Sequence, residues 1–246
     1  HMTLSDIEGE EFHYFERINR KGIGNAGADS ERLMVWNEDW FLKSEEEKHL
    51  LEAVESGTGL KLRLVPMKQL VFHGENGISK KGSGVGNASH YFSYTRMKTS
   101  GTILIGGKTY KVLGTSWMDH EYSSNQLNDE LSGWDWFSLK LDNQTELMLY
   151  QLRLKTGGVD SFSSGTLVSA DGMTRHLKQN EFIVKPLTQW KSKRSGITYP
   201  LGWELELPSL GIKLNLSPDL YDQELYNLRS IFASYWEGSI SVEGTI

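Results

Sequence analysis

Apolar and polar side chains alternate along much of the chain, and this period of two is typical of strands in antiparallel sheets. LKLRLVP at residues 60–66 alternates apolar and basic side chains. At 101–117, GTILIGGKTYKVLGTSW predicts two strands joined by a turn at Gly106 and Gly107. Further strand pairs are predicted at 134–154, 165–177 and 202–218. Because the connections are short and contain no helical spacers, the pattern predicts an all-β barrel or sandwich.

Two segments carry helix signals instead. SEEEKHLLEAVES at 44–56 has Ser44 three residues before Glu47, a capping-box pattern, and continues with good helix formers. SPDLYDQELYNLRS at 217–230 predicts a short helix or a structured loop. SSNQLNDELSG at 123–133 is polar, lacks strand character and separates two aromatic-rich blocks, so it is the predicted domain boundary.

Composition narrows the range of functions by exclusion. The 246 residues carry a net charge of −6, and the basic clusters are short, at Lys80-Lys81 and 191–194, which argues against nucleic-acid binding. The chain has no cysteine, so disulfides, zinc-thiolate sites and thiol catalysis are excluded. No stretch approaches the roughly 20 apolar residues of a membrane span.

The segment GTSWMDHEYSS at 114–124 concentrates the candidate chemistry. On a strand, Trp117, Asp119 and Glu121 share one face, and His120 lies on the other. An aspartate beside an indole on an inward face loses hydration, which raises its pKa and lets it hold a proton near neutral pH. Two explanations stay open: Asp119 donates a proton, or the two carboxylates sit at a strand end and pair with arginine or backbone N–H groups.

GWDWF at 133–137 repeats the combination of carboxylate and indole. Trp134 and Trp136 share one face, where they line a cavity, stabilise a cation, or simply pack in the core.

A metal site is not predicted. The seven histidines form no H-x-H or H-x-x-x-H pair, and the carboxylates and imidazole of 119–121 cannot all face one ion on a regular strand.

Three segments together resemble a known family: 73–103, 114–124 and 133–153. HGENGISKKGSGVGNASHYFSYTRMKTSGTI, GTSWMDHEYSS and GWDWFSLKLDNQTELMLYQLR are similar to the carotenoid 1,2-hydratase (hydroxyneurosporene synthase) family. Its relatives include AttH-like proteins, kievitone hydratase and fungal Diels–Alderase-like cyclases. The combination of W-x-D-H-E with a following G-W-D-W is specific for this family, but not for one reaction within it.

The resemblance implies two lipocalin-like antiparallel β-barrels side by side, an N-terminal one at 1–125 and a C-terminal one at 126–246. It places 49–55 on a strand, which replaces the helix that propensity predicts there. Relatives carry an upstream block with an E-W-W-Y-like stretch, and a further strand after YWEG. We therefore expect the first barrel to be incomplete at its N-terminus and the second to lack its last strand.

The resemblance also implies a function: a cofactor-independent hydratase or lyase that protonates a C=C bond of an apolar small molecule, isoprenoid or polyketide-like, in an aromatic-lined cavity. Asp119 would be the general acid, and His120 or Glu121 would orient it or position water. The remaining candidates are substrate-binding residues, with core packing or a structural ion pair as the alternative for each. They are Trp117, Tyr91, Trp134, Trp136, Arg153, Trp236 and Glu237.

Two other functions fit the same segments. Cyclase or isomerase chemistry uses the same kind of cavity, and a lipocalin-type carrier would hold a hydrophobic ligand without transforming it. The surroundings of Asp119 separate enzyme from carrier, because a carboxylate bound to Arg96 or Arg153 would stay deprotonated. The expected partner is a hydrophobic small molecule, and the resemblance favours a periplasmic, secreted or membrane-peripheral location over a strictly cytoplasmic one.

Overall fold

The chain folds almost entirely into antiparallel β-strands. The computed structural model describes residues 1–22, 24–123, 130–226 and 234–246. Within these ranges the only helical elements are two single 3-10 turns, Gln179–Glu181 and Pro208–Leu210. None of the helices in the described ranges has the length and apolar character needed to cross a membrane. The all-β prediction is confirmed.

The strands are numbered in chain order. The first eleven are β1 Met2–Asp6, β2 Glu11–Phe15, β3 Ala26–Ala28, β4 Met34–Asn37, β5 Trp40–Glu45, β6 Lys48–Glu55, β7 Thr58–Pro66, β8 Val71–Phe72, β9 Ile78–Lys80, β10 Ala88–Ile105 and β11 Lys108–Tyr122. The others are β12 Leu131–Lys140, β13 Glu146–Leu154, β14 Ser164–Val168, β15 Thr174–Lys178, β16 Ile183–Pro186, β17 Gln189–Lys191, β18 Thr198–Pro200, β19 Trp203–Leu207, β20 Ile212–Pro218, β21 Glu224–Leu225, β22 Tyr235–Trp236 and β23 Ile240–Thr245.

The chain divides into two compact units, each built from several segments. The first unit contains 1–67, 97–116 and 222–238, and the second contains 68–96, 117–221 and 239–246. The long strands β10 and β11 therefore contribute residues to both units. The division into barrels at 1–125 and 126–246 stays a prediction, and most of the predicted boundary, 124–129, lies outside the described residues.

In the first unit, strands β3 to β7 follow one another in a sheet that continues into the second half of β10. The helix signal at 44–56 is overridden there. Ser44 pairs with His49 across a hairpin between β5 and β6, and Glu46 in its turn has a φ of 54°. His49 and Ala53 are buried on β6, so tertiary pairing outweighs local helix propensity. The strand expected at 49–55 is confirmed.

In the second unit, two four-stranded sheets, β12-β13-β14-β15 and β16-β19-β20-β23, enclose the main apolar core. Leucines on alternate positions of β13, β19 and β20 point into it, among them Leu147, Leu205 and Leu214. The helix or loop predicted at 217–230 contains the end of β20 and strand β21. Its last residues, 227–230, lie outside the described residues.

A buried ion triad centres on Glu146, the first residue of β13, which is fully enclosed. Its carboxylate accepts hydrogen bonds from Lys68 Nζ at 2.6 Å and Arg96 Nε at 2.5 Å. Lys68 also donates to the backbone carbonyls of Gln144 and Ser169. Arg96, one of the two arginines that could have paired with Asp119, is therefore committed to Glu146.

Candidate active site

The second unit places a line of hydroxyl groups on one face of β10. Ser89, Tyr91, Ser93 and Thr95 occupy alternate positions and are buried, because successive side chains of a strand point to opposite faces. These hydroxyls face the end of β11, which carries the WMDHE segment. Polar groups buried in this way need partners. Ser89, Tyr91 and Ser93 donate to two carboxylates of β11, and Thr95 donates to Glu146 of β13.

Asp119 receives three hydrogen bonds on a single oxygen. Its Oδ1 accepts from the indole Nε1 of Trp117 at 2.8 Å, from the hydroxyl of Tyr91 at 3.0 Å and from the hydroxyl of Ser93. No residue in the described ranges forms a hydrogen bond with Oδ2. One carboxyl oxygen is thus fixed in position, and the other is available to a ligand.

The pKa of Asp119 is raised, chiefly because the surrounding protein displaces water from the carboxylate. Hydrogen bonds from Ser93, Trp117 and Tyr91 oppose this rise, and the negative charge of Glu121 adds to it. The residue as a whole is nevertheless exposed to solvent. Many protein atoms therefore surround the carboxyl group, while solvent still reaches one side of the residue. That solvent access reduces the effect of the burial.

Neither candidate arginine pairs with Asp119. Arg96 pairs with Glu146, and Arg153 pairs with Asp135 at 2.5 Å. The described part of the chain contains no ion pair to Asp119. An ion pair with Arg96 or Arg153, which would have held the Asp119 carboxyl deprotonated, is therefore not observed.

Glu121 is in a different environment, two residues further along the same face. It accepts a hydrogen bond from the hydroxyl of Ser89 at 2.5 Å and lies 3.2 Å from Lys81 Nζ. Lys81 is itself buried, and its ammonium group lies 3.5 Å from the ring centroid of Tyr150. The two carboxyl groups of this face thus differ: one lacks a cation, and the other has one.

An aromatic cluster packs around Asp119. Tyr91 and Tyr150 are buried in it, and Trp117 and Trp136 pack against it. The indole Nε1 of Trp136 donates to the Tyr91 hydroxyl at 3.1 Å, which in turn donates to Asp119. Trp134, although it shares a face with Trp136, is 51% exposed. Three of the five predicted aromatic residues are therefore joined to Asp119, directly or through one hydroxyl.

The other predicted residues are not joined to this group. His120 lies on the opposite face of β11, as the alternation predicts, and its ring contacts Phe92 at 4.8 Å and Tyr122 at 5.4 Å between centroids. Arg153 is held by its ion pair with Asp135. Trp236 and Glu237 belong to the first unit, whereas all the residues around Asp119 belong to the second. Functional roles for these residues stay predictions.

Ser93, Lys81 and His73 were not singled out as site residues in the sequence. In the structure Ser93 donates to Asp119, Lys81 pairs with Glu121, and His73 contacts Ser93. Ser93 could have been found, since it stands at an alternate position among aromatic residues where an apolar side chain is expected. Lys81 and His73 carry no such local signal. In the described ranges, no three His, Cys, Asp or Glu side chains lie close enough together to hold a metal ion.

Comparison with known proteins identifies the relatives of this chain. The sequence model of the AttH-like family matches residues 1–246. The chain belongs to the AttH-like family. A crystal structure of a Nitrosomonas europaea protein described as AttH superimposes on this AttH-like chain with a TM-score of 0.89. The two sequences are 31% identical, and the match covers 98% of this chain and 75% of that protein. The lipocalin-like fold expected from the sequence is confirmed.

Kievitone hydratase is a second relative of this AttH-like chain. The enzyme of Fusarium solani subsp. phaseoli is 27% identical over 185 residues, which cover 69% of this chain and 49% of the enzyme. The chain thus spans about half the length of this curated relative. The crystal structure of kievitone hydratase from Nectria haematococca has the same fold, with a TM-score of 0.71 at 21% identity, covering 87% of this chain and 66% of that protein.

Proposed function

We propose that this protein is a hydratase that adds water to a C=C bond of an apolar small molecule, with Asp119 as the proton donor and without a cofactor. The observation that carries the proposal is the state of the Asp119 carboxyl. Its Oδ1 is fixed by three donors, no cation pairs with it in the described ranges, and its Oδ2 is open. A carrier has no need of a carboxyl group held in this way.

The two carboxyl oxygens of Asp119 have different roles in the proposed protonation of the alkene. The π electrons of the alkene form a C–H bond with the proton on Oδ2, which leaves a carboxylate on Asp119 and a cation on the neighbouring carbon. The three donors on Oδ1 stabilise the carboxylate as its charge develops. The electron-rich faces of Trp117, Trp136 and Tyr91 stabilise the cation.

Glu121 is the proposed general base that accepts a proton from the attacking water. A water oxygen forms the C–O bond with the carbocation, and one of its protons passes to the Glu121 carboxylate. Lys81 and Ser89 hold this carboxylate in position to accept the proton. Residues two apart on a strand are roughly 7 Å apart, which leaves room for a double bond and one water between the two carboxyl groups. Solvent then restores both protonation states.

The relatives support the same reaction class. Kievitone hydratase is named for the addition of water, and the resemblance to carotenoid 1,2-hydratases rests on segments that contain Asp119. Support from kievitone hydratase is limited to the half of that enzyme that this chain matches. The substrate class is therefore proposed only as an alkene-bearing apolar small molecule, isoprenoid or polyketide-like.

Incubation with candidate alkenes in H₂¹⁸O tests the proposal. Kievitone and a small panel of acyclic isoprenoids are incubated with the protein, and products are analysed by mass spectrometry. We expect one substrate to gain a water that carries ¹⁸O. If binding is measurable by Trp fluorescence but none of the bound compounds gains water, isomerises or cyclises, the protein is a carrier and the proposal is wrong.

The Glu121→Gln variant separates the two half-reactions. In D₂O we expect hydration to fall by at least about 10²-fold, because the attacking water loses its base. The recovered substrate should still acquire deuterium, since Asp119 continues to protonate the alkene and the cation returns a proton. Glu181→Gln, the same substitution at a glutamate outside the site that pairs with Arg175, serves as the matched control. Equal loss of hydration and deuterium exchange would contradict a role for Glu121 that is confined to water.

A further inference from the structure

His73 extends the hydrogen-bond network of Asp119 into the core of the second unit. It is 0% exposed, and its backbone N–H donates to the carbonyl of Tyr91 at 2.9 Å. Both ring nitrogens have hydroxyl partners: Nε2 lies 2.8 Å from Ser93 Oγ, and Nδ1 lies 2.9 Å from Thr166 Oγ1. Ser93 is the residue that donates to Asp119 Oδ1. The chain Thr166–His73–Ser93–Asp119 is therefore continuous.

The imidazole at its centre is neutral. Burial lowers the pKa of His73 to about 3, and electrostatic interactions with Lys81 and His176 act in the same direction. A neutral imidazole has one N–H donor and one acceptor nitrogen. If the hydrogen-bond partner of one ring nitrogen makes that nitrogen a donor, the other nitrogen must therefore be an acceptor.

The donor and the acceptor of each hydrogen bond in this chain can be assigned one after another, starting from Asp119. The Ser93 hydroxyl hydrogen is used on Asp119, so Ser93 Oγ can only accept from His73, and Nε2 must carry the ring proton. Nδ1 is then the acceptor and receives the Thr166 hydroxyl hydrogen. Every donor along the chain points towards Asp119 Oδ1. This holds whether Oδ2 is protonated or not, because Oδ1 accepts in both states.

We infer that His73 is a positioning residue: held in its Nε2–H tautomer by Thr166, it fixes the Ser93 hydroxyl on Oδ1 of Asp119 and so leaves Oδ2 as the oxygen that carries the transferable proton. His73 also packs on Tyr91, with 4.3 Å between the ring centroids, and thereby supports a second donor to the same oxygen. The consequence for catalysis rests on the proposed function, but the tautomer and its effect on Asp119 do not.

The tautomer can be read directly by ¹⁵N NMR of the histidine rings in the wild-type protein. We expect His73 to carry its proton on Nε2 and to show no titration between pH 5 and 8. A ring protonated on Nδ1, or one that titrates in this range, would overturn the assignment. This measurement needs no substrate, so its failure is distinct from a failure to find hydratase activity.

A double-mutant cycle tests whether His73 acts through Ser93. We expect His73→Phe and Ser93→Ala each to raise the pKa of Asp119, because the carboxylate loses a directed donor. The double variant should show the same shift as Ser93→Ala alone. His73→Gln, whose amide can donate to Ser93, should restore much of the wild-type titration. Additive shifts would overturn the proposal. An unchanged titration in Ser93→Ala would also overturn it, and this variant can be measured even if the His73 variants do not fold.

A matched control and a kinetic readout complete the test. His49 is another buried histidine that contacts a serine, Ser44, but it belongs to the first unit, so His49→Phe should leave the titration of Asp119 unchanged. Once a substrate is known, His73→Phe should lower kcat by up to about 10²-fold with KM unchanged, because His73 positions the acid and does not touch the substrate. A change confined to KM would contradict this role.

Discussion

The Asp119→Asn variant is expected to hydrate its substrate about 10²- to 10⁴-fold more slowly than the wild type. Asparagine has nearly the same shape, and its carbonyl oxygen can still accept from Trp117, Tyr91 and Ser93. What it lacks is a proton that can be transferred to an alkene. Initial rates of ¹⁸O incorporation, measured at saturating substrate, give the size of the loss.

The control for this variant is Asp171→Asn. Asp171 lies in the exposed hairpin turn between β14 and β15, where its carboxylate accepts from Ser169 and Met173. Because Asn-Gly also forms this type of turn, the substitution should preserve both fold and rate. If Asp119→Asn hydrates as fast as Asp171→Asn, the proton comes from another group and the proposed mechanism is wrong.

The Glu146→Gln variant is expected to lose about 3–5 kcal/mol of unfolding free energy. Glu146 is fully buried between two cations whose side chains are only 8% and 13% exposed, those of Lys68 and Arg96. Neutralising the carboxylate leaves both charges in the interior without a counterion. Urea unfolding followed by Trp fluorescence measures the change through the shift in midpoint.

Glu181→Gln provides the comparison for that variant. Glu181 pairs with Arg175, which is 47% exposed, and surface ion pairs contribute about 0–1 kcal/mol. If both glutamine variants unfold at the same urea concentration, the triad around Glu146 does not contribute the stability attributed to it. Because Arg96 would also be released, the titration of Asp119 in Glu146→Gln would show whether the freed guanidinium reaches it.

Much of the fold could be predicted because it rests on local pattern. Period-two alternation located the long strands and assigned Trp117, Asp119 and Glu121 to one face of β11, in agreement with their observed contacts. The helix signal at 44–56 was misleading because propensity takes no account of cross-strand partners, and Ser44 finds one in His49. Resemblance to a family corrected this where propensity alone did not.

The partners of the candidate acid could not be predicted, because they are distant in sequence. Ser93 lies 26 residues from Asp119, and Thr166 lies 93 residues from His73. Which hydroxyl meets which imidazole depends on how β10, β14 and the segment after β8 pack, and no local pattern encodes that. The same holds for Arg153, whose bond to Asp135 is set by the register of β12 and β13.

Titration of the Asp119 carboxyl is the most direct test of the central claim. Its carboxyl carbon is followed by NMR between pH 2 and 9, and the Asp119→Asn variant assigns the signal. We predict a pKa above the ~3.9 of a free aspartate. Proton transfer from Asp119 to the alkene, the step that requires the protonated acid, should therefore be present at low pH and decline as the pH rises through this pKa. A value at or below that of free aspartate would mean a carboxylate that is stabilised in its charged form, and Asp119 could not be the proton donor.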